Sequence, residues 1–246
     1  MKTLIIIFFI IIFILVVIFY NSGSCEIKKE FECSSDFCLF KEFPVQLSSQ
    51  ILNNINEMLE NKDIQKRVSI TVYPETLFNC ALPNKNGATI STKNIEKYSP
   101  ELIQYYQTDL CKTVSELIDI QLYPTDLSMP TSCAILIYEK ENDWINWHYD
   151  YNYYNGRFFT VLIPITHDLT CTKFQFKDQY GGIVSLDLTN NGLVFEGNYL
   201  YHRASKLCDG QKRVMLSCQY VTNNDMNFIN KMRIKLKDFA YTGRIF

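Results

Sequence analysis

Hydrophobic and polar positions divide the chain into three stretches with different periods. Residues 4–20 are apolar without a charge, glycine or proline. As a helix they span roughly 25 Å, close to the thinner hydrocarbon layer of the endoplasmic reticulum at about 27 Å. This predicts a membrane-spanning signal-anchor over residues 1–20. A cleaved signal peptide is the competing reading, because Ser22-Gly23-Ser24 offers small residues for cleavage. The run is nevertheless longer than the usual signal core of about 7–15 residues. Lys2 favours a cytoplasmic amino terminus against Lys28 and Lys29 on the other flank, so the expected topology is single-pass type II with the remainder lumenal.

The second stretch carries helical spacing. Residues 21–46 read as a cysteine-containing stem, and 47–131 as a helical support region. Within 47–62, Ile51, Ile55, Met58 and Leu59 recur on one face of an amphipathic helix. A second helix starts at Ser99-Pro100-Glu101, where serine can cap, proline suits the first turn and glutamate favours the positive helix end. Its buried face would hold Ile103, Leu110, Val114 and Leu117. Between the two, 68–73 reads as a strand and 83–92, with Asn86-Gly87, as a loop or hairpin.

From residue 132 the period shortens to two. Runs at 133–138, 158–165, 172–176, 183–188, 192–195 and 213–221 alternate with turn chemistry at Glu141-Asn142-Asp143, Gly181-Gly182, Asn190-Asn191-Gly192 and Cys208-Asp209-Gly210. Six short, closely spaced strands predict a sandwich or barrel over 132–222, with helices packed outside a jelly-roll. In the remaining 223–246, an extension packing on that core, Met232, Ile234 and Leu236 alternate with charges and predict a lysine-protected edge strand.

Composition narrows the class. Hydrophobic residues make up 47% of the 246 residues, charged ones 20%, and there are only 7 prolines, which excludes disordered and collagenous chains. A net charge of −2 gives no global attraction to phosphate backbones, so nucleic acid is not an expected partner. Nine cysteines without a C-x-x-C pair point to an oxidising lumen rather than a zinc ribbon, with Cys133 and Cys218 suited to be buried thiols inside apolar strands.

Only three histidines occur, and two stand in an ordered frame: His148-Tyr149-Asp150, then 51 residues, then His202, then ten more, then Arg213. Alternate residues of an extended segment share a face, so His148 and Asp150 can converge on one ion while Tyr149 faces away. An antiparallel jelly-roll can bring His202 beside them. Two imidazoles and a carboxylate on one triangular face leave three positions open, the coordination of non-haem Fe(II) oxygenases. With ferrous iron that set is formally +1, and 2-oxoglutarate brings −2, so one further cation balances the site. Arg213 supplies a guanidinium whose two parallel donors match a carboxylate better than an ammonium does. Arg203 and Lys212 are rivals, the first expected on the opposite face of a strand and the second in a turn. His167 has no partner in this frame, and the aromatic stretch from Trp144 to Phe159 reads mainly as packing around a barrel mouth.

On these residues the sequence resembles the Fe(II)/2-oxoglutarate-dependent dioxygenases, most nearly the prolyl 4-hydroxylase-like branch. The carriers are His148-Tyr149-Asp150, Arg157-Phe158-Phe159-Thr160-Val161-Leu162, Thr172-Lys173-Phe174, Gly192-Leu193-Val194-Phe195, His202 and Gly210-Gln211-Lys212-Arg213. The chain departs from many prolyl hydroxylases in carrying Thr170-Cys171 where a glycine pair often stands, and Arg213 where many carry lysine. The resemblance implies an α+β fold with a mainly β core, a double-stranded β-helix with flanking N-terminal helices. It implies that His148, Asp150 and His202 are the metal ligands and catalytic centre, and that Arg213, with Tyr138, binds the co-substrate. Fe(II), 2-oxoglutarate and O2 are then the expected cofactors, with ascorbate as an added reductant. Hydroxylation of a protein or peptide side chain, prolyl or lysyl, is the implied reaction, with succinate as co-product. Against it stand a catalytically silent jelly-roll acting as an anchored binding or structural protein, and a cupin-like metalloenzyme that uses no 2-oxoglutarate.

Overall fold

The computed structural model describes residues 40–70, 84–166, 171–178, 180–228, 230–232 and 234. Among them, twelve strands form one continuous curled antiparallel sheet. In chain order these are β1 (Phe40–Pro44), β2 (Lys66–Ile70), β3 (Lys85–Ile90), β4 (Tyr123–Pro124), β5 (Cys133–Tyr138), β6 (Trp144–His148), β7 (Phe158–Pro164), β8 (Phe174–Lys177), β9 (Ile183–Leu186), β10 (Asn191–Phe195), β11 (His202–Ala204) and β12 (Arg213–Val221). Along the sheet the order is β1-β10-β7-β12-β5-β3-β6-β11-β8-β9, with β2 added to β3 and β4 to β12. The long crossovers implied by that order give the jelly-roll, in which β10-β7-β12-β5 and β6-β11-β8-β9 face one another and β3 joins them.

Parity along β5, β7 and β12 explains why these strands read as nearly unbroken apolar runs. Ile135 and Ile137, Val161 and Ile163, Leu216 and Tyr220 join the large core shared with the helices. The alternating residues Leu136 and Tyr138, Thr160 and Leu162, Arg213 and Met215 line a cavity on the opposite face. A strand covered on both faces has little reason to carry polar residues except where the cavity uses them.

The helices stack on the outer face. In α1 (Ser49–Glu60) the buried residues are Ile51, Ile55, Met58 and Leu59, the face anticipated from their spacing, and the Ser48 hydroxyl caps by accepting from the Ile51 N–H at 3.3 Å. A short α2 (Thr92–Tyr98) buries only Thr92 and Ile95, too sparse a pattern to be periodic. Next come α3 (Pro100–Tyr105), a π-helical turn (Tyr106–Leu110) and α4 (Cys111–Ile118). Ser99 makes no capping bond to α3, its hydroxyl instead accepting from Asn54 Nδ2 at 3.3 Å. At the π turn the Tyr220 hydroxyl donates to the Tyr106 carbonyl at 2.8 Å, a side-chain insertion of the kind that widens a helix locally.

Two elements differ from the pattern expected of them. Asn86-Gly87 lies within β3 and not in a loop, because a Cβ on Gly87 would already be 3.3 Å from the Ile137 carbonyl, so the glycine allows close packing rather than a turn. The described residues of 228–234 are helical, not extended: Asn227 Oδ1 accepts the Asn230 N–H at 2.8 Å as a cap, and Ile234 packs beside Tyr153, Tyr154 and Phe158. Among the described residues no helix is long and apolar enough to cross a membrane. The run at 4–20, the stem cysteines and His167 lie outside those residues. Cys171 and Cys208 form a disulfide, while Cys111, Cys133 and Cys218 are buried free thiols.

Candidate metal centre

β6 and β11 are antiparallel neighbours with His202 directly opposite His148, and the register shifts between His202 and Ala204. Their ring centroids are 4.2 Å apart. Asp150 follows β6 and is drawn back to the same place by its N–H, which donates to the Gly197 carbonyl at 2.8 Å. One ligand atom each from His148, Asp150 and His202 lies within 4.8 Å of the others, and His148 Nε2 is 3.7 Å from Asp150 Oδ1. The two imidazoles are buried.

Both rings are oriented by the main chain. His148 Nδ1 is 2.7 Å from the Asn146 carbonyl, and His202 Nδ1 is 2.8 Å from the Leu200 carbonyl. A carbonyl only accepts, so each Nδ1 carries the proton and each Nε2 keeps its lone pair for a cation. Phe174 stacks on the His202 ring at 5.4 Å and Phe195 meets it edge-on at 4.9 Å, which leaves the imidazole little rotational freedom. Two neutral nitrogens and one carboxylate oxygen form a donor set suited to a divalent transition metal with open positions.

The cavity beside this cluster has a volume of about 140 Å³. Its walls are apolar around Leu136, Leu162, Phe195 and Met215, and the inner end carries Tyr138 and Arg213, cross-strand partners in the pairing of β5 with β12. Arg213 is only 6% exposed, and its Nη1 has no hydrogen-bond partner within the protein. Burial pushes its guanidinium below the usual value, opposed by Tyr138 and Asp187. The Tyr138 phenol is pushed up by burial, so it remains a proton donor at neutral pH. A buried cation with an orphaned donor in the wall of a largely apolar cavity fits a carboxylate guest.

The other anticipated residues are distributed differently. Arg203 borders the cavity but commits its guanidinium elsewhere, with Nε donating to Gln175 Oε1 at 2.7 Å and the guanidinium over the Trp147 ring at 4.6 Å. Lys212 is exposed in the turn. Tyr149 is not simply turned away: it borders the cavity, with its ring 4.9 Å from Tyr201. Thr160, which has no role in the His-Asp-His-Arg frame, places its hydroxyl 2.6 Å from Asp150 Oδ2. The available signal was a hydroxyl in a seven-residue strand buried throughout, since such a group must find a partner.

No protein-family profile matches the chain, and no curated protein matches it. Solved structures do. The oxidoreductase of the 2OG-Fe(II) oxygenase family from Burkholderia pseudomallei is 11% identical, with 76% of this chain and 87% of that one covered at a TM-score of 0.57. AviO1 from Streptomyces viridochromogenes Tue57 is 12% identical, with 77% and 93% covered at 0.55. A prolyl hydroxylase in complex with a hypoxia inducible factor oxygen degradation domain peptide fragment, from Trichoplax adhaerens, is 13% identical, with 80% and 86% covered at 0.51. The chain has the fold of the 2OG-Fe(II) oxygenases, prolyl hydroxylases among them.

Proposed function

We propose that the chain is an Fe(II)- and 2-oxoglutarate-dependent oxygenase that hydroxylates a C–H bond. The observation that carries this reading is the convergence of His148, Asp150 and His202 beside a largely apolar cavity lined also by a buried guanidinium with an unpaired Nη1. Bound Fe(II) and 2-oxoglutarate supply the oxygen activation that makes an unreactive C–H bond yield, with release of succinate and CO2. The chain's own residues do the rest. His148 and His202 present Nε2 and Asp150 an oxygen to the metal. Arg213 pairs with the distal carboxylate of the co-substrate and Tyr138 donates its phenolic proton there. Leu136, Leu162, Phe195 and Met215 keep water from the reacting atoms.

The acceptor in this reading is a protein side chain, as in prolyl or lysyl hydroxylation. Its support is the fold shared with a prolyl hydroxylase that holds a peptide fragment. Residues 4–20 serve as a type II signal-anchor and hold the oxygenase domain in the lumen of the endoplasmic reticulum or a later secretory compartment. The support here is the length of the apolar run and the Cys171–Cys208 disulfide, which suits an oxidising space. Ascorbate is the reductant proposed to keep the metal ferrous.

Anaerobic titration tests the central reading. A weak visible charge-transfer band is expected only when Fe(II) and 2-oxoglutarate are both present, and folded, metal-loaded chain without that band would overturn it. Succinate formation with proline-rich, lysine-containing and non-peptide acceptors then decides the substrate class.

A further inference from the structure

Arg157 and Thr160, around the start of β7, hold the turn after β10 and the Asp150 carboxylate. Arg157, just before the strand, forks onto Glu196, with Nε to Oε1 at 2.7 Å and Nη2 to Oε2 at 2.8 Å. Three residues on, the Thr160 hydroxyl meets Asp150 Oδ2 at 2.6 Å. Glu196 adjoins Gly197, whose carbonyl accepts the Asp150 N–H. That glycine is required by close approach: a Cβ there would sit 2.2 Å from Asp150 Oδ2 and 2.6 Å from its Cβ. The two carboxylate oxygens are therefore not equivalent. Oδ2 is enclosed by Thr160 and the Gly197 backbone, while Oδ1 faces His148 Nε2.

We propose that Thr160 is a positioning residue that makes Asp150 a one-oxygen ligand, and that the Arg157–Glu196 fork keeps the Gly197 turn seated against the same carboxylate. The inference rests on the metal-centre reading above. A carboxylate free at both oxygens can swing about its terminal bond and chelate, taking a coordination position that the co-substrate or O2 needs. A hydroxyl donating to Oδ2 opposes that rotation with a charge-assisted bond, and such outer contacts to a ligand are worth about 10–100-fold in metal affinity.

Cobalt(II), added without oxygen or co-substrate to metal-free full-length chain, reports affinity and coordination number through its visible d–d bands without any turnover. Thr160→Val removes the donor at nearly constant shape, Thr160→Ser retains it, and Thr160→Ala covers the case in which the valine variant does not fold. Loss of the hydroxyl is expected to weaken cobalt binding about 10–100-fold and to alter the band pattern, with the serine variant within about threefold of the unaltered chain. Valine and alanine variants that bind cobalt as the unaltered chain does would overturn the assignment. So would a serine variant that loses as much as they do, because packing alone would then be responsible. An unaltered chain that takes up no cobalt would remove the metal reading itself, and the positioning role with it.

Discussion

Arg213 offers more hydrogen-bond donors than the protein around it uses, and that surplus is what a co-substrate would engage. Arg213→Ala is expected to weaken 2-oxoglutarate binding by about 30-fold or more, the loss that follows from deleting one side of a buried charge pair. Fe(II) uptake should be nearly unchanged when the two are titrated separately, and an equal loss of both would refute the division of roles. A partly buried ion pair bears on stability. Arg67 forks onto Asp143 at 2.8 and 3.1 Å, and the Asp143 side chain has no exposed surface. Burial pushes the Asp143 carboxyl up, but Arg67 and the N–H groups of Glu139 and Lys140 outweigh it and hold the carboxyl below its ordinary value. Its contribution is therefore fully present above about pH 4, where the unfolded carboxyl is ionised, and is lost as the pH falls through the lower folded value. Arg67→Ala removes the fork but leaves the Glu139 and Lys140 N–H donors, and should cost about 1–3 kcal/mol in urea unfolding at pH 7. Below the folded value the cost should shrink, so an undiminished cost in acid would count against the pair. At this scale the candidate ligands were legible because histidine is scarce and the frame is ordered. Thr160 and Asp143 were not. A threonine in an apolar strand looks the same whether or not it orients a ligand, and the 76-residue separation of Arg67 from Asp143 leaves no local trace.

Turns and strands carry the next level of constraint. The Gly197 turn holds one end of the Asp150 carboxylate, so Gly197→Ala should displace it and lower metal affinity by about tenfold or more. Calorimetric titration with metal checks this, and unchanged affinity would mean that the turn relaxes to admit a methyl group. The Cys171–Cys208 bridge joins the approach to β8 with the turn that leads into β12 and Arg213. Removing it with serines at both positions should lower stability by about 3–4 kcal/mol for a loop of 37 residues. Thermal unfolding with and without reductant measures this. Element boundaries were most legible where two faces are covered: 133–138 and 213–221 coincide with β5 and β12. They were least legible where long-range pairing overrides local chemistry. β3 takes Asn86-Gly87 through its pairing with β2, with Gly87 packed closely against the Ile137 carbonyl, and β11 is three residues long and stands as a strand only through β6 and β8. At 231–236 alternation suggested a strand, yet the Asn227 cap and the docking of Ile234 favour a helix over the described residues of 228–234.

For the whole molecule, a jelly-roll class was within reach of pattern and turn chemistry, while strand order was not, since pairing such as β3 with both β5 and β6 has no sequence signature. The proposed anchor makes a prediction at the same scale: in sealed microsomes the domain should resist added protease until detergent is supplied, and digestion without detergent would overturn the lumenal assignment. The central sheet also has a consequence for anyone who mutates it. Along β12, Val214, Leu216, Cys218 and Tyr220 face the helical layer, whereas Arg213, Met215, Ser217 and Gln219 face the cavity. A saturation survey of that one strand should therefore alternate between variants that fail to accumulate and variants that accumulate yet turn nothing over. Whether a position is even or odd would be enough to forecast which.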